Sequence, residues 1–477
     1  MISAAHAPCD AATAQATATA PITHRPRFLI VTTILASSLA FIDGSVVNVG
    51  LPAIGTTFGA DAIQLQWVVN AYLLPLSALL LLGGAAGDIF GRRRALIIGV
   101  TLFGLSSVAC ATAPSIALLL AARLVQGASA ALLMPNSLAI LGMAFSGEAK
   151  GRAIGVWAAA GAVAGAIGPV LGGWLIDVGS WRLIFVINVP IAIIAIWLAF
   201  LSVRKDDVAK AASLDGAGAI LATIGLGLAT WALTESSSRG FSALTSLAFA
   251  VGLMALVGFV LVERRRKETA MMPLALFGSS TFVGLTLLTL LLYAALGGLM
   301  VLLPYVLITA LGYSATQAAA ALLPLAVAIS VVSPIAATIA ARIGARPVLI
   351  GSPLIVAAGF LLAMGIASYD SYWVGVFPSM VVIALGMAGA VAPLTTAVLN
   401  SVDAQHTGSA SGFNSAVART GGLIATALIG WVMIATGPAL RTAFDLAAIV
   451  GAAICITASL CAFFWINLPS LSRGPSQ

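Results

Sequence analysis

An all-α polytopic membrane protein is the fold class this sequence predicts, on three observations. Of its 477 residues, 61% are hydrophobic and 8% charged, the composition of a chain whose main solvent is lipid. Apolar runs of about 20 residues, each long enough to cross a hydrocarbon core of roughly 30 Å as a helix, recur along it. Lys and Arg collect in alternate connecting segments, as they do in cytoplasmic loops. The runs are continuous and lack two-residue alternation, which excludes strands as the spanning element.

Fourteen spans are expected, beginning near Phe28, Trp67, Ala95, Ile116, Ala153, Leu183, Leu214, Ala243, Phe282, Ala315, Val348, Trp373, Ser409 and Thr442. Residues 1–26, rich in Ala and Thr with Pro8, Pro21 and Pro26, lack the apolar core of a secretory signal and read as a disordered cytoplasmic tail. With that tail inside, the inner segments carry Arg25, Arg27, Arg92, Arg93, Arg94, Lys150, Arg152, Arg204, Lys205, Lys210, Arg264, Arg265, Arg266, Lys267, Arg342, Arg346 and Arg473. Outer loops carry only Arg182, Arg239 and Arg441, and Arg123 and Arg419 fall inside spans. Both termini are therefore expected in the cytoplasm of a cell whose inner membrane holds the chain. The net charge of +7 then reflects topology, with anionic lipid headgroups as its partner. No folded basic domain exists to bind nucleic acid.

Faint internal repetition suggests two related bundles facing a central site. Gly91-Arg92-Arg93 after span two is echoed by Gly344-Ala345-Arg346 after span ten, and Gly151 with Gly155 by Gly408 with Gly412. The expected organisation is a six-helix bundle over residues 27–203, a linker with an inserted helix pair over 204–279, a second six-helix bundle over 280–467, and a cytoplasmic tail at 468–477.

Several chemistries lack residues to carry them. Cys9, Cys110, Cys455 and Cys461 have no metal-ligand spacing, so neither a disulfide framework nor a metal site is expected. His6, His24 and His406 fall outside the spans, which removes a transmembrane histidine relay and narrows proton chemistry to carboxylates. No phosphate-binding loop and no nucleophile constellation is present; neither enzyme activity nor a cofactor is expected, nor ATP drive within this chain.

Asp43 is the one carboxylate set well inside a hydrophobic span, and an ionisable group there is functional by default. It lies about 15 residues, or about 22 Å, from the inner end of its helix. Arg123 sits roughly 20 Å above the inner face, at a matching depth. Desolvation favours a neutral carboxyl group and a nearby guanidinium favours a charged one, so a motion that changes their separation would change proton affinity. The bland alternative is a static pair that holds helices together.

Asp88, with Gly84, Gly87 and Gly91 around it and Arg92 and Arg93 after it, makes either a charge anchor or a tight loop able to gate. Gly161, Gly165, Gly168, Gly172 and Gly173 permit close helix approach, and Pro169 removes one backbone hydrogen bond. Asn48, Asn70, Tyr72, Gln126, Asn136, Tyr293, Tyr305, Asn414 and Arg419 are the candidate cavity groups, although most polar residues in spans bond across helices. Arg419 has no obvious acid of its own; it either bonds backbone carbonyls or meets an anionic group on a substrate. Trp67, Trp181, Trp231 and Trp373 read as interfacial anchors.

Four of these stretches resemble the major facilitator superfamily, in its fourteen-helix drug/proton antiporter branch. Asp43-Gly-Ser-Val-Val-Asn48-Val-Gly-Leu51-Pro52 resembles that branch's first-helix signature, and Gly84-Ala-Ala-Gly87-Asp88-Ile-Phe-Gly91-Arg92-Arg93-Arg94 the superfamily's loop between helices two and three. Arg123-Leu-Val-Gln126-Gly127 is similar to the span-four motif, and Gly161-x3-Gly165-x2-Gly168-Pro169-x2-Gly172-Gly173 to the antiporter motif. The second-half loop departs from the pattern, with Ala341 where an acid would fall. The resemblance implies proton coupling at Asp43 and Arg123, gating at the Asp88 loop, and export of hydrophobic small molecules by a chain expected to act as a monomer without a partner protein. Two alternatives stay open: a dedicated exporter of one endogenous metabolite or antibiotic, and a membrane sensor that does not transport.

Overall fold

The structure, a computed structural model, describes residues 26–203, 216–266, 274–366, 371–402 and 407–466. Both expected tails lie outside them, except that Pro26 already begins the first helix, as do the three histidines and Cys9. Every regular element among the described residues is helical, the form in which a segment satisfies its own backbone groups in lipid. In order these are α1 (Pro26–Phe58), α2 (Ala62–Phe90), α3 (Arg92–Ala111), α4 (Ile116–Ala144), α5 (Gly147–Val178) and α6 (Leu183–Ser202). An intervening pair follows, α7 (Gly216–Arg239) and α8 (Ala243–Arg266). The last six are α9 (Ser280–Leu311), α10 (Ala315–Ile343), α11 (Ala345–Leu362), α12 (Tyr372–Asn400), α13 (Thr407–Leu428) and α14 (Gly437–Trp465).

Thirteen of these helices are long and apolar enough to cross a membrane. The fourteenth, α13, has 22 residues, or about 33 Å of helix. Its apolar run is interrupted by Ser411, Asn414, Ser415, Arg419 and Thr420, a polar set that lipid would not tolerate. It is sheltered between α9 and α2: a Cβ on Gly421 would fall 2.4 Å from the α9 backbone at Leu290, and one on Gly412 3.0 Å from Leu81 of α2. Counting α13 with the thirteen candidate spans puts both ends of the described chain on one face. That face carries Arg92, Arg93, Arg94, Arg264, Arg265, Arg266, Arg342 and Arg346, which marks it as cytoplasmic.

The turns are built by short-range chemistry. On the outer face Asp61 and Gln64 close a reciprocal cap on α2, and Ser314 and Gln317 close the same device on α10, satisfying donors that a helix start leaves open. On the inner face Gly91 (φ 93°) and Gly344 (φ 92°) make matching sharp turns in a region that disfavours a Cβ. Two residues later the halves match again. Arg93 donates to the Phe200 carbonyl at 3.2 Å, its guanidinium 5.4 Å from the Phe200 ring. Arg346 donates to the Phe463 carbonyl at 2.8 Å, 5.7 Å from that ring. The same clasp thus ties α3 to α6 and α11 to α14, giving the sequence echo a physical basis.

The intervening pair lies against the seam between the two sets of six. Gly225 and Gly252 let α7 and α8 touch: a Cβ on Gly225 would sit 2.7 Å from Leu256, and one on Gly252 2.9 Å from the Ala229 nitrogen. Asn70 of α2 donates to Thr234 of α7 at 3.4 Å, while Leu244, Leu247, Met254 and Val257 of α8 face outward. Trp181 is not an interfacial anchor. It is buried at 3% exposure, donates to Thr57 at 2.9 Å and stacks edgewise on Phe58 and Phe185, because the turn before α6 folds it inward. Trp373, at 68% exposure, does face outward.

At the outer end α5 and α10 close against each other. Asp177 accepts from the backbone nitrogens of Ala315 and Thr316 at 3.0 and 2.9 Å and from the Thr316 hydroxyl at 2.5 Å, capping α10 across the seam where a carboxylate is best placed. Toward the inner end, Gly151 and Gly155 of α5 have nothing within 4 Å of where a Cβ would stand. The halves therefore meet outside and part inside. Asp177→Asn should loosen the outer closure. A single cysteine at position 48, in a background stripped of native cysteines, should react several times faster with an impermeant thiol reagent added outside; an unchanged rate would show that Asp177 does not hold that end shut.

Candidate proton-coupling and substrate site

Asp43 reaches its environment through a helix face that is polar only at depth. Among the described residues it is buried at 0% exposure and Arg123 at 1%, and the two form a charge-paired hydrogen bond between the Asp43 Oδ2 and the Arg123 Nη1. Around them the network is dense. Gln126, one turn beyond Arg123 on α4, donates to Asp43 Oδ1 at 2.9 Å and to Ser107 of α3 at 2.9 Å, and accepts from Arg123 at 2.7 Å. Asn188 of α6 donates to Asp43 Oδ1 at 3.4 Å and to Ser107 at 3.3 Å. Arg123 Nε donates to the Val68 carbonyl of α2 at 3.1 Å, and the guanidinium lies 4.4 Å from the Tyr72 ring. The Tyr72 hydroxyl donates to the Ala40 carbonyl of α1 at 3.1 Å. Five helices thus send side chains or carbonyls to one ion pair, the surroundings a buried charge needs.

Local sequence explains who arrives. Asp43 and Ala40 share a face of α1, and Arg123 and Gln126 are three residues apart on α4, neighbours on a helix surface. Asn188 stands where α6 breaks into Leu183–Val186 and Asn188–Ser202. Pro190, lacking an N–H, cannot bond the Val186 carbonyl. Asn188 and Ser107 were not singled out from the sequence; an Asn two residues before a proline inside an apolar run was the available signal, while Ser107 had none.

A central cavity of about 370 Å³ lies between α1, α2 and α5 on one side and α9, α10 and α13 on the other. Asn48, Tyr293 and Arg419 of the candidate cavity groups line it, with Gly165 and Pro169 from the α5 motif. Gly44 also lines it, beside Asp43 in sequence, and a Cβ there would be 3.6 Å from the Tyr72 ring. Asp43 is therefore one residue behind the cavity wall and faces no lipid. The remaining candidates are placed elsewhere. Tyr72 and Gln126 belong to the ion-pair network. Asn70 bonds Thr234. Asn136 donates to the Gly83 and Leu132 carbonyls at 2.9 and 2.8 Å. Tyr305 donates to the Met433 carbonyl at 3.2 Å, and Asn414 accepts from Thr289 at 2.7 Å. Apart from the Asn136–Leu132 bond within α4, these join neighbouring elements, the ordinary use of polar residues in spans. A larger groove of about 950 Å³ opens between α10 and α12 beside Tyr313, Trp373 and Phe377, apart from the central cavity.

The α5 motif splits by face. A Cβ on Gly161, Gly168 or Gly172 would strike Phe41, Ser45 or Val46 of α1. On another face, a Cβ on Gly173 would be 2.5 Å from the Ala315 carbonyl of α10. α5 is thus pressed against α1, beside Asp43, and against α10 of the other half. In the last turn of α2, Asp88 accepts from both Nε and Nη2 of Arg92, the first residue of α3, at 2.9 and 2.7 Å, and Arg92 Nη1 donates to the Ala139 carbonyl of α4 at 3.3 Å. Gly84 sits 3.5 Å from Pro135 by the same Cβ test, and Gly87 has no room for one against Asn136. Among the described residues no cluster of His, Cys, Asp and Glu is grouped to hold a metal.

The chain matches the Major Facilitator Superfamily over residues 33–296 and 285–476. It belongs to that superfamily. The multidrug resistance protein Stp of Mycobacterium tuberculosis is 32% identical over 416 residues, covering 85% of this chain and 75% of that protein. The puromycin resistance protein pur8 of Streptomyces alboniger is 33% identical over 413 residues, covering 84% and 81%. Among solved structures, a bacterial homologue of the human lysosomal transporter Spinster, inward-facing and occupied, superposes with a TM-score of 0.66 at 17% identity, covering 91% of this chain and 96% of that one. The fold is thus the major facilitator fold, in a multi-pass membrane protein of the inner membrane.

A buried pair that loses one partner leaves an uncompensated charge, which costs about 3–5 kcal/mol. Arg123→Leu should lower stability in detergent by about that amount, and adding Asp43→Asn should recover much of it. Thermal unfolding of the two single variants and the double variant reads this directly; strictly additive losses would mean the two side chains are not one unit.

Proposed function

We propose that this protein exports hydrophobic small molecules from the cell by proton-coupled, alternating-access antiport. The observation that carries the reading is the Asp43–Arg123 pair, buried among five helices and separated by one wall from a cavity between the two halves. The multidrug and puromycin resistance proteins among the relatives support small-molecule cargo. Transport of cargo without chemical change, and not catalysis, is the role; the partners are the small molecule, protons and membrane lipid, and the acting unit is the monomer.

In the state described, the outer end is closed at Asp177 and the halves part toward the cytoplasm, so cargo enters the cavity from inside or from the inner leaflet. Arg123, Gln126 and Asn188 all donate to Asp43 in this state. Rocking of the halves moves α10 against Gly173 and, through α5, presses Gly168 and Gly172 on the α1 turn that carries Asp43. A shift that draws Arg123 off a carboxylate still shielded from bulk water favours its protonated form, and each unit of pKa change is worth about 1.4 kcal/mol of coupling. A proton taken from the outside and released inside then drives cargo the other way. The Asp88–Arg92 pair, partly exposed and worth at most about 1 kcal/mol, is weak enough to break and re-form as the inner gate moves.

Cells making the protein should resist a subset of a panel of hydrophobic antibiotics. The best-protected compound is then carried into proteoliposomes with an imposed pH gradient and an internal pH dye. Asp43→Asn should abolish uphill transport and the coupled proton flux while downhill exchange of the compound persists. Coupled flux in Asp43→Asn equal to that of the wild type would remove this residue from the mechanism.

A further inference from the structure

We infer that the central cavity selects cargo carrying a negatively charged group beside an apolar ring system, with Arg419 as the residue that receives the anion. This rests on the export reading and names its substrate class.

The cavity's charge is unbalanced. No Asp or Glu is among its lining residues, and Arg419 is the one charged side chain there. Among the described residues the only carboxylate at that depth, Asp43, already holds Arg123, Gln126 and Asn188. Arg419 itself has a single hydrogen-bond partner, the sulfur of Met134 at 2.7 Å, a weak acceptor for a guanidinium with five donors. Its Nε is buried with no partner, and it makes no ion pair among the described residues. A cation so placed in a membrane protein is expensive to keep, and a second copy of the Asp43 arrangement is not there to keep it.

The surroundings fit an anionic end and an apolar body. Asn48 lines the same space. Tyr293, Thr426 and the Gly422 backbone stand on the Arg419 side, while Leu73, Met300 and Ile329 supply apolar walls. A cavity of about 370 Å³ is in the range of a single drug-sized ligand. A carboxylate or an ionised enol or phenol entering from the cytoplasmic side would displace the Met134 sulfur and meet the guanidinium, the charge-assisted bond for which an arginine is suited. Because Met134 belongs to α4 and Arg419 to α13, the exchange would also release a contact between the two halves.

Three probes sharing one ring system test this: 1-pyrenebutyrate, 1-pyrenebutanol and 1-pyrenebutylammonium. Equilibrium dialysis against the full-length protein in lipid nanodiscs, with empty nanodiscs subtracted, reads binding without any proton gradient. The wild type should bind the butyrate at least tenfold more tightly than the alcohol, which corresponds to about 1.4 kcal/mol, with the ammonium weakest. Arg419→Gln should bring butyrate and alcohol within twofold while the alcohol binds as in the wild type, and Arg419→Lys should keep most of the preference. The inference is overturned if the wild type shows no preference, or if Arg419→Gln weakens butyrate and alcohol alike. Failure of the export reading would appear separately, as unaltered coupled flux in Asp43→Asn, and leaves the probe ratios untouched.

Discussion

The bond between Asp43 and Arg123 is the constraint on which the first half of the molecule is organised. A pair with essentially no accessible surface gains from mutual attraction only if its remaining lone pairs and N–H groups are also met. That requirement accounts for the residue types around it. Gln126 can donate to one oxygen of Asp43 while accepting from Arg123, a pairing that neither Glu nor Lys could make. Ser107 accepts from both Gln126 and Asn188, and the Val68 carbonyl takes the guanidinium edge left over. The break in α6 at Pro190 puts Asn188 within reach. Apolar packing holds these helices together elsewhere, but only the ion pair dictates which helices must converge at this depth and in what rotation.

A second constraint joins that centre to the other half of the protein. Small residues let α5 approach two neighbours at once, and in lipid such close approach supplies the association that the hydrophobic effect does not. Gly161, Gly168 and Gly172 seat α5 on the turns of α1 that bracket Asp43, and Gly173 seats it on the start of α10, where Asp177 caps the facing helix. Displacing α10 therefore cannot leave α1 undisturbed. Packed glycine faces tolerate sliding and rocking but not separation, so the link transmits motion without a flexible joint. Pro169, between the two glycine faces, removes one bond of the α5 ladder where the helix turns from one neighbour to the other.

Much of this was legible in the sequence, for reasons that differ between elements. Hydropathy located the helices because lipid allows few other solutions, and the matching Gly91 and Gly344 turns were readable because both need a glycine. Asp43 and Arg123 were legible as charges in the wrong solvent, and depth arithmetic alone placed them level. What stayed hidden depended on helix rotation. Asn70, Asn136, Tyr305 and Asn414 look like cavity residues by type, yet each points at a neighbouring helix. Trp181 looks like a boundary anchor by position, yet the turn before α6 folds it inside. Span thirteen carries the weakest apolar signal because Asn414 and Arg419 turn toward α9 and the central cavity. Type and depth can be read from one chain; facing is settled only when several helices pack together.

The Asp43–Arg123 pair and the central cavity are separate compartments in the same half of α1. Gly44 and Asn48 face the cavity, while Asp43 faces α4 and α6, so one turn of one helix presents a neutral wall to cargo and a carboxylate to the bundle. Direct competition of cargo and proton for a shared acid would need both to reach Asp43 from the cavity, and the Tyr72 ring behind Gly44 stands in that path. On the proton-driven reading, coupling must then pass through the helix itself. A rotation of α1 by part of a turn would carry Asp43 from Arg123 toward the cavity and Asn48 away from it, so that wetting of the acid and remodelling of the cargo walls are one movement.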